Sequence, residues 1–224
     1  MSDIHPENDD RLIPQPKIVL EGTHLTRKTD VAFALAEHPD IIGVRQRRWH
    51  IPLLSAEWET RSAMAPTKSN PGRSMINFGS DDLEWVIDCY DNLTRLLELH
   101  RDYYWILDRF HISTVAHQRL QFGREVQLDW VDKRLRELGF VVVHCWRDPT
   151  TFPAAREHRL TYSENPTRYD DLDSFVAEQE VMGELVSHSK LPSLTVDVSD
   201  DDVDRIADDV IGWMKETGAF WWQP

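Results

Sequence analysis

Gly22-Thr23-His24-Leu25-Thr26-Arg27-Lys28-Thr29 carries the residue types of a phosphate-binding loop. The pattern G-x-x-x-x-G-K-[ST] wraps backbone N–H groups and a lysine around phosphate oxygens and offers a hydroxyl to Mg²⁺. Gly22, Lys28 and Thr29 stand at that spacing, with Thr23 and His24 inside the turn. Arg27 stands where the second glycine belongs. Glycine there lets the backbone approach a phosphate, and a side chain crowds it. Arginine is itself a phosphate donor, so the exchange need not be fatal. The other reading of the segment is an ordinary strand–turn–helix with a capping Thr and a solvated Lys.

Further along, Asp108-Arg109 closes an apolar run. A carboxylate at a strand end can hold Mg²⁺, and a guanidinium there can grip a phosphate bidentately. Arg156 and Arg159 sit where cations could close over a transferring phosphoryl group, with Glu164 available to pair with either. His24, His50, His111 and His117 are candidate polar contacts, but no spacing among them suits zinc. Cys89 and Cys145 are too few for a disulfide framework or a thiolate metal site and read as buried thiols.

Elements must bring these residues together. Lys17 to Leu20 reads as a buried strand and Asp30 to His38 as a helix. A second strand is expected within Gly43 to Ile51, beside Arg45, Arg47 and Arg48; Ser55 to Ser80 has no clear period. The stripe Leu83, Val86, Ile87, Tyr90, Leu93 and Leu97 makes Asp81 to His100 a helix capped by Ser80. Tyr103 to Leu107 reads as a strand, Ser113 to Phe122 and Arg124 to Leu138 as helices, and Phe140 to Trp146 as a central strand. An arginine-bearing lid loop is expected at about 148–167. A helix from Tyr169 to His188, a strand from Ser193 to Val198 and a helix from Asp200 to Thr217 complete the order. Alternating strands and helices predict a three-layer α/β fold, a parallel sheet with helices on both faces. The phosphate loop, Asp108-Arg109 and the loop after Trp146 then share the carboxyl edge of the sheet, where such folds bind ligands.

The chain has 224 residues, with 39 acidic and 25 basic side chains and a net charge of −14. That balance argues against a nucleic-acid polymer as the main partner, because backbone phosphates need a basic footprint. A small phosphorylated ligand needs only a few convergent cations. No apolar run reaches the roughly 20 residues that span a bilayer, and no secretory signal opens the chain, so a cytoplasmic protein is expected. Residues 1–16 read as a disordered lead-in and 17–224 as one domain. Trp221-Trp222 reads as a pair that docks on the body or on a partner chain.

Three features together resemble the thymidylate kinase and deoxynucleoside kinase group of P-loop kinases. The first is Ile18-Val19-Leu20-Glu21-Gly22 followed by Lys28-Thr29. The second is Asp108-Arg109-Phe110-His111-Ile112-Ser113-Thr114-Val115-Ala116-His117-Gln118, which is similar to the family's Asp-Arg-aromatic segment and its Ala-aromatic-Gln ending. The third is the order of elements that follows. The resemblance implies ATP with Mg²⁺ and phosphoryl transfer to a nucleoside or nucleoside monophosphate. It implies Lys28 at the donor's β- and γ-phosphates, with Gly22, Thr23, His24 and Arg27 in the cradle and Thr29 and Asp108 at the metal. Arg109 would hold substrate or transferred phosphate, Arg156 and Arg159 would be lid cations, and Gln118 would lie near the acceptor base. The acceptor segment is not legible in Val44 to Glu59, where Arg45, Arg48 and Glu57 are the available polar residues. The family often dimerises through helices, and Asp81 to His100 could serve for a homodimer. A non-catalytic homologue, binding a nucleotide or a protein partner, is the alternative that Arg27 raises.

Overall fold

The structure, a computed structural model, describes residues 14–42, 53–57, 74–163 and 165–221. Five parallel strands form the sheet: β1 Lys17–Glu21, β2 Leu53–Ser55, β3 Trp105–Asp108, β4 Val141–Trp146 and β5 Ser193–Asp197. Their order is β2-β3-β1-β4-β5. The helices are α1 Lys28–Glu37, α2 Pro39–Ile42, α3 Leu83–Leu99, α4 His111–Phe122, α5 Asp129–Glu137, α6 Phe152–Leu160, α7 Leu172–His188 and α8 Val203–Glu216.

Strand side chains alternate between two cores, as the period of two requires. Val19, Leu107 and Val142 face a core shared with α3, α4, α5 and α7. Ile18, Leu20, Ile106, Val141, Val143 and Cys145 face the opposite core, built with α1 and α8. Helices therefore cover both faces, and the expected three-layer α/β arrangement holds. Parallel strands buried on both sides must be apolar throughout, which is why Val141-Val142-Val143 reads so strongly in the sequence.

Several boundaries move, each for a local reason. Residues 124–128 are not helical: Val126 and Leu128 are buried with exposed Gln127 between them, an extended alternation. The expected lid loop contains α6, entered through a 3-10 turn at Pro149–Thr151 with Asp148 accepting from the Thr150 amide at 2.8 Å. Prolines 149 and 153 lie in first-turn positions, where their missing N–H costs nothing. The long helix starts at Leu172 and not Tyr169, because Asp171 caps it by accepting from Ser174 N. The last helix starts at Val203, capped likewise by Asp202. Ser80 does not cap α3; it lies in a 3-10 turn, Ser80–Asp82, that precedes the helix. The strand expected within Gly43 to Ile51 lies outside the described residues, and the second strand among the described residues is β2, further along. Of the lead-in, residues 1–13 lie outside the description, but 14–16 are ordered. Pro14 bridges Trp221, and Gln15 N donates to Phe220 O at 2.8 Å. Trp221 docks on the α1/α8 core; Trp222 lies outside the described residues. Among the described residues no helix is long and apolar enough to cross a membrane.

One core residue sets a pH dependence. His144 on β4 is buried, and its Nε2 has no partner. Burial pulls its pKa down to about 4. The unfolded imidazole takes a proton near its ordinary pKa of about 6.5, while the folded one does so only near 4. The stabilisation is therefore complete above pH 6.5 and is lost as pH falls toward 4, by about 3 kcal/mol in all. Urea titrations of His144→Leu at several pH values are expected to lack that slope, whatever the variant's stability at neutral pH.

Candidate functional site

The loop after β1 is closed tightly. A Cβ on Gly22 would lie 2.8 Å from Thr26 Oγ1 and 2.9 Å from the Cys145 carbonyl oxygen, so only glycine fits. The Thr23 carbonyl is the hub of the turn. It accepts from Thr26 Oγ1 at 2.8 Å and from Lys28 Nζ at 3.0 Å. Leu25 and Arg27 both have positive φ, at 65° and 54°. Arg27 thus takes the left-handed backbone that a glycine adopts freely, at a cost of about 1 kcal/mol. Its guanidinium turns to Asp30, with Nε 2.5 Å from Oδ2. The loop shape tolerates the exchanged residue because the side chain is held against the first turn of α1. No side chain caps α1, so its first N–H groups remain available to an anion.

The pairing of Leu20 with Asp108 carries the end of β3 to this loop. Thr29 Oγ1 donates to Asp108 Oδ2 at 2.6 Å, and Asp108 Oδ1 is buried with no partner. A buried carboxylate oxygen left unpaired beside a hydroxyl is a donor set for a hard cation. Mg²⁺ fits it: such ions take one or two protein oxygens and complete their shell with water and phosphate. No cluster of three or more His, Cys, Asp or Glu side chains suited to a metal occurs among the described residues.

Arg109 is the centre of a buried ion-pair network beside this loop. It is almost fully buried, with φ of 59°. All its donor nitrogens are engaged: Nε with Ser113 Oγ at 3.0 Å, Nη1 with Glu57 Oε1 at 2.8 Å and Nη2 with Glu178 Oε1 at 2.8 Å. Glu178, on α7, also accepts from the Thr23 hydroxyl and so ties the β1–α1 loop to Arg109. Burial alone would raise the Glu57 carboxyl, but Arg109 and Lys28 beside it bring its pKa down to about 2. Burial disfavours the Arg109 charge, yet Glu178 and Glu57 together hold its pKa above the usual value. Glu21, at the end of β1, is wholly buried, and burial raises its pKa. It accepts from the amides of Phe110 and Ile112 and from the Ser113 hydroxyl, which fixes the start of α4.

A cleft of about 210 Å³ separates the β1–α1 loop from the α6 side. Arg27, Lys28, Thr29 and Glu57 line one wall; His158, Arg159, Arg168 and Tyr169 line the other. Arg159 therefore reaches the cleft as expected. Arg156 instead braces the turn above it, donating to the Tyr169 carbonyl at 2.9 Å and to Asp170. His24 lies in the cleft wall, and His117 stands 4.0 Å from Glu178. Burial, followed by the nearby cations, lowers the His24 pKa well below its ordinary value; burial lowers that of His117 too. His111 belongs to a separate cluster with Asp132. The Gln118 amide donates to the carbonyls of Ile76 (2.8 Å) and Phe78 (3.2 Å) and fastens that segment to α4. Arg45, Arg48, His50 and Glu164 lie outside the described residues.

No family model matches this chain, and no curated protein matches it either. Among solved structures, the YorR protein of Bacillus subtilis, crystallised in complex with phosphorylated GDP, aligns over 88% of this chain and 95% of its own. The identity is 17% and the TM-score 0.56. A protein of Chloroflexus aurantiacus aligns over 91% of this chain and 98% of its own, at 16% identity and a TM-score of 0.40. The first likeness is one of fold, and it agrees with the parallel five-stranded architecture.

Proposed function

We propose that the chain is a P-loop kinase that binds ATP with Mg²⁺ at the β1–α1 loop and transfers the terminal phosphoryl group to a nucleoside-type acceptor. One observation carries the reading: Thr29 and the unpaired buried oxygen of Asp108 stand beside Lys28 at an uncapped helix start. Lys28 would leave the Thr23 carbonyl for the donor's phosphates. Thr29 and Asp108 would hold Mg²⁺, which supplies neutralisation of phosphate charge when bound. Arg159 and Arg168 face the same cleft and would stabilise charge on the transferring group. Phosphoryl transfer asks the protein mainly for position and charge, and these residues supply both.

On the acceptor side the geometry favours a nucleoside over a nucleoside monophosphate. Arg109, the cation expected to hold an acceptor phosphate, already has one N–H of each nitrogen on Ser113, Glu57 and Glu178, and two of those partners are carboxylates. The groups it presents are carboxylates, which repel a phosphate and accept from a hydroxyl. Glu57 is the carboxylate that also lines the cleft, and it would orient the attacking hydroxyl and take its proton.

The test is calorimetric titration of ATP–Mg²⁺ into wild type and Lys28→Ala. Binding in wild type, weakened about 100-fold or more in the variant, is the expected result. Full binding by the variant would sink the loop assignment. A non-catalytic reading draws on Arg27 alone; the backbone of that residue keeps the conformation a glycine would have, which favours a working loop.

A further inference from the structure

We propose that His24 is a positioning residue for Arg168, and that it latches the lid to the phosphate loop before any phosphate arrives. Arg168 Nη2 lies 3.4 Å from His24 Nε2. An arginine is always protonated, so it donates, and Nε2 must accept. The imidazole is then neutral, with its proton on Nδ1. Arg109, Lys28 and Arg168 are the cations facing this ring and Glu57 the carboxylate; burial and the three cations disfavour the charged ring.

Packing supports the same contact. The His24 ring meets Tyr169 edge-on, with centroids 6.1 Å apart, and Phe175 at 5.3 Å. Its neighbour Leu25 packs on a small separate core of Phe152, Tyr169 and Phe175. The phosphate loop thus inserts two consecutive side chains into the lid's own core. Leu25 reaches that core from a left-handed backbone, a conformation that only surrounding contacts sustain. The two α6 arginines hold Tyr169, Arg156 by its carbonyl and Arg159, which also lines the cleft, by its hydroxyl at 3.1 Å. Arg168 is the lid cation that reaches across to the loop. His24 offers it an uncharged acceptor that an incoming phosphate oxygen, bearing charge, outcompetes. The latch holds the guanidinium at the cleft and yields it to the donor.

This use of the latch rests on the proposed function, but the latch itself is a property of the ligand-free chain. Hydrogen–deuterium exchange over residues 165–170 reads it directly, since the amides of Arg168 and Asp170 are both bonded within that turn. His24→Phe keeps the ring contacts and removes the acceptor. It and Arg168→Gln are each expected to speed exchange about tenfold, the worth of one charge-assisted hydrogen bond. The double variant should exchange no faster than either single one. His24→Gln, which returns an acceptor oxygen, should restore most of the protection. Unchanged exchange in both single variants, or additive acceleration in the double, overturns the proposal. Should His24→Phe fail to fold, Arg168→Gln made in the wild-type and His24→Gln chains decides: acceleration in both supports the latch, and none in either overturns it. Because no nucleotide is present, a failed latch leaves the kinase reading standing. Absence of ATP–Mg²⁺ binding in wild type sinks the kinase reading and leaves the exchange result intact.

Discussion

Glu57→Gln is expected to lower turnover of a nucleoside acceptor by about 10²- to 10⁴-fold while leaving ATP–Mg²⁺ affinity within a few-fold. The side chain keeps its shape, and the amide oxygen can still accept from Arg109 Nη1, so the fold survives. What the variant loses is the charge that orients a hydroxyl and receives its proton. The low pKa of Glu57, held there by Arg109 and Lys28 against burial, makes it a weak base at rest. That suits a reaction whose nucleophile gives up its proton late and needs placement more than deprotonation. Steady-state kinetics with a panel of nucleosides, alongside calorimetry for ATP, separates the two effects. A fall in turnover of less than threefold would reduce Glu57 to a counter-ion of Arg109.

Arg109→Met is expected to be the most destabilising single change in the site, by about 3–5 kcal/mol. It strands Glu178, which is nearly buried, and removes the partner of Glu57. It also cuts the path from the β1–α1 loop through Thr23 and Glu178 to α4. Urea denaturation measures the loss. Adding Glu178→Gln to Arg109→Met should recover part of it, because the stranded charge is gone. If the double variant is less stable than Arg109→Met, charge is not the cause, and Arg109 acts through packing.

Much of this arrangement was legible in the residues. A strand, a glycine-led loop and a Lys-Thr helix start mark the turn from β1 into α1, and Asp108-Arg109 after an apolar run marks the strand end beside it. Glu178 and Arg168 were missed. Arg168 sits in a turn without pattern, and nothing local points to it. Glu178 left a trace: Phe175, Gln179, Met182 and Val186 share a helical stripe, and the acid falls on that stripe, not opposite it. A charged residue on an apolar face is unusual and needs a partner. The exposed acids of the same helix masked it, since type alone does not separate a solvated carboxylate from a buried one. Helix α6 was hidden by its arginines and prolines, although Pro at a first turn is a helix-start signal. Arg109 reads in the sequence as a free phosphate clamp because the carboxylates that occupy it come from the turn after β2 and from α7, 52 and 69 positions away in the chain.

The strand order also governs how the chain comes into being. β1 is central, yet its neighbours are β3 and β4, so one edge stays unpaired until Asp108 has been made and the other until Trp146. A growing chain, which folds from its N-terminus as it is made, therefore carries Ile18-Val19-Leu20 as an apolar strand with both edges open until β3 is made and one edge open until β4 is made. Such a strand is a template for wrong pairing. Parallel pairing across so long a separation is slow as well. The loop that leads into α1 follows directly on β1, and it reaches its final shape only once that strand is enclosed on both sides, since Gly22 packs against Cys145 of β4.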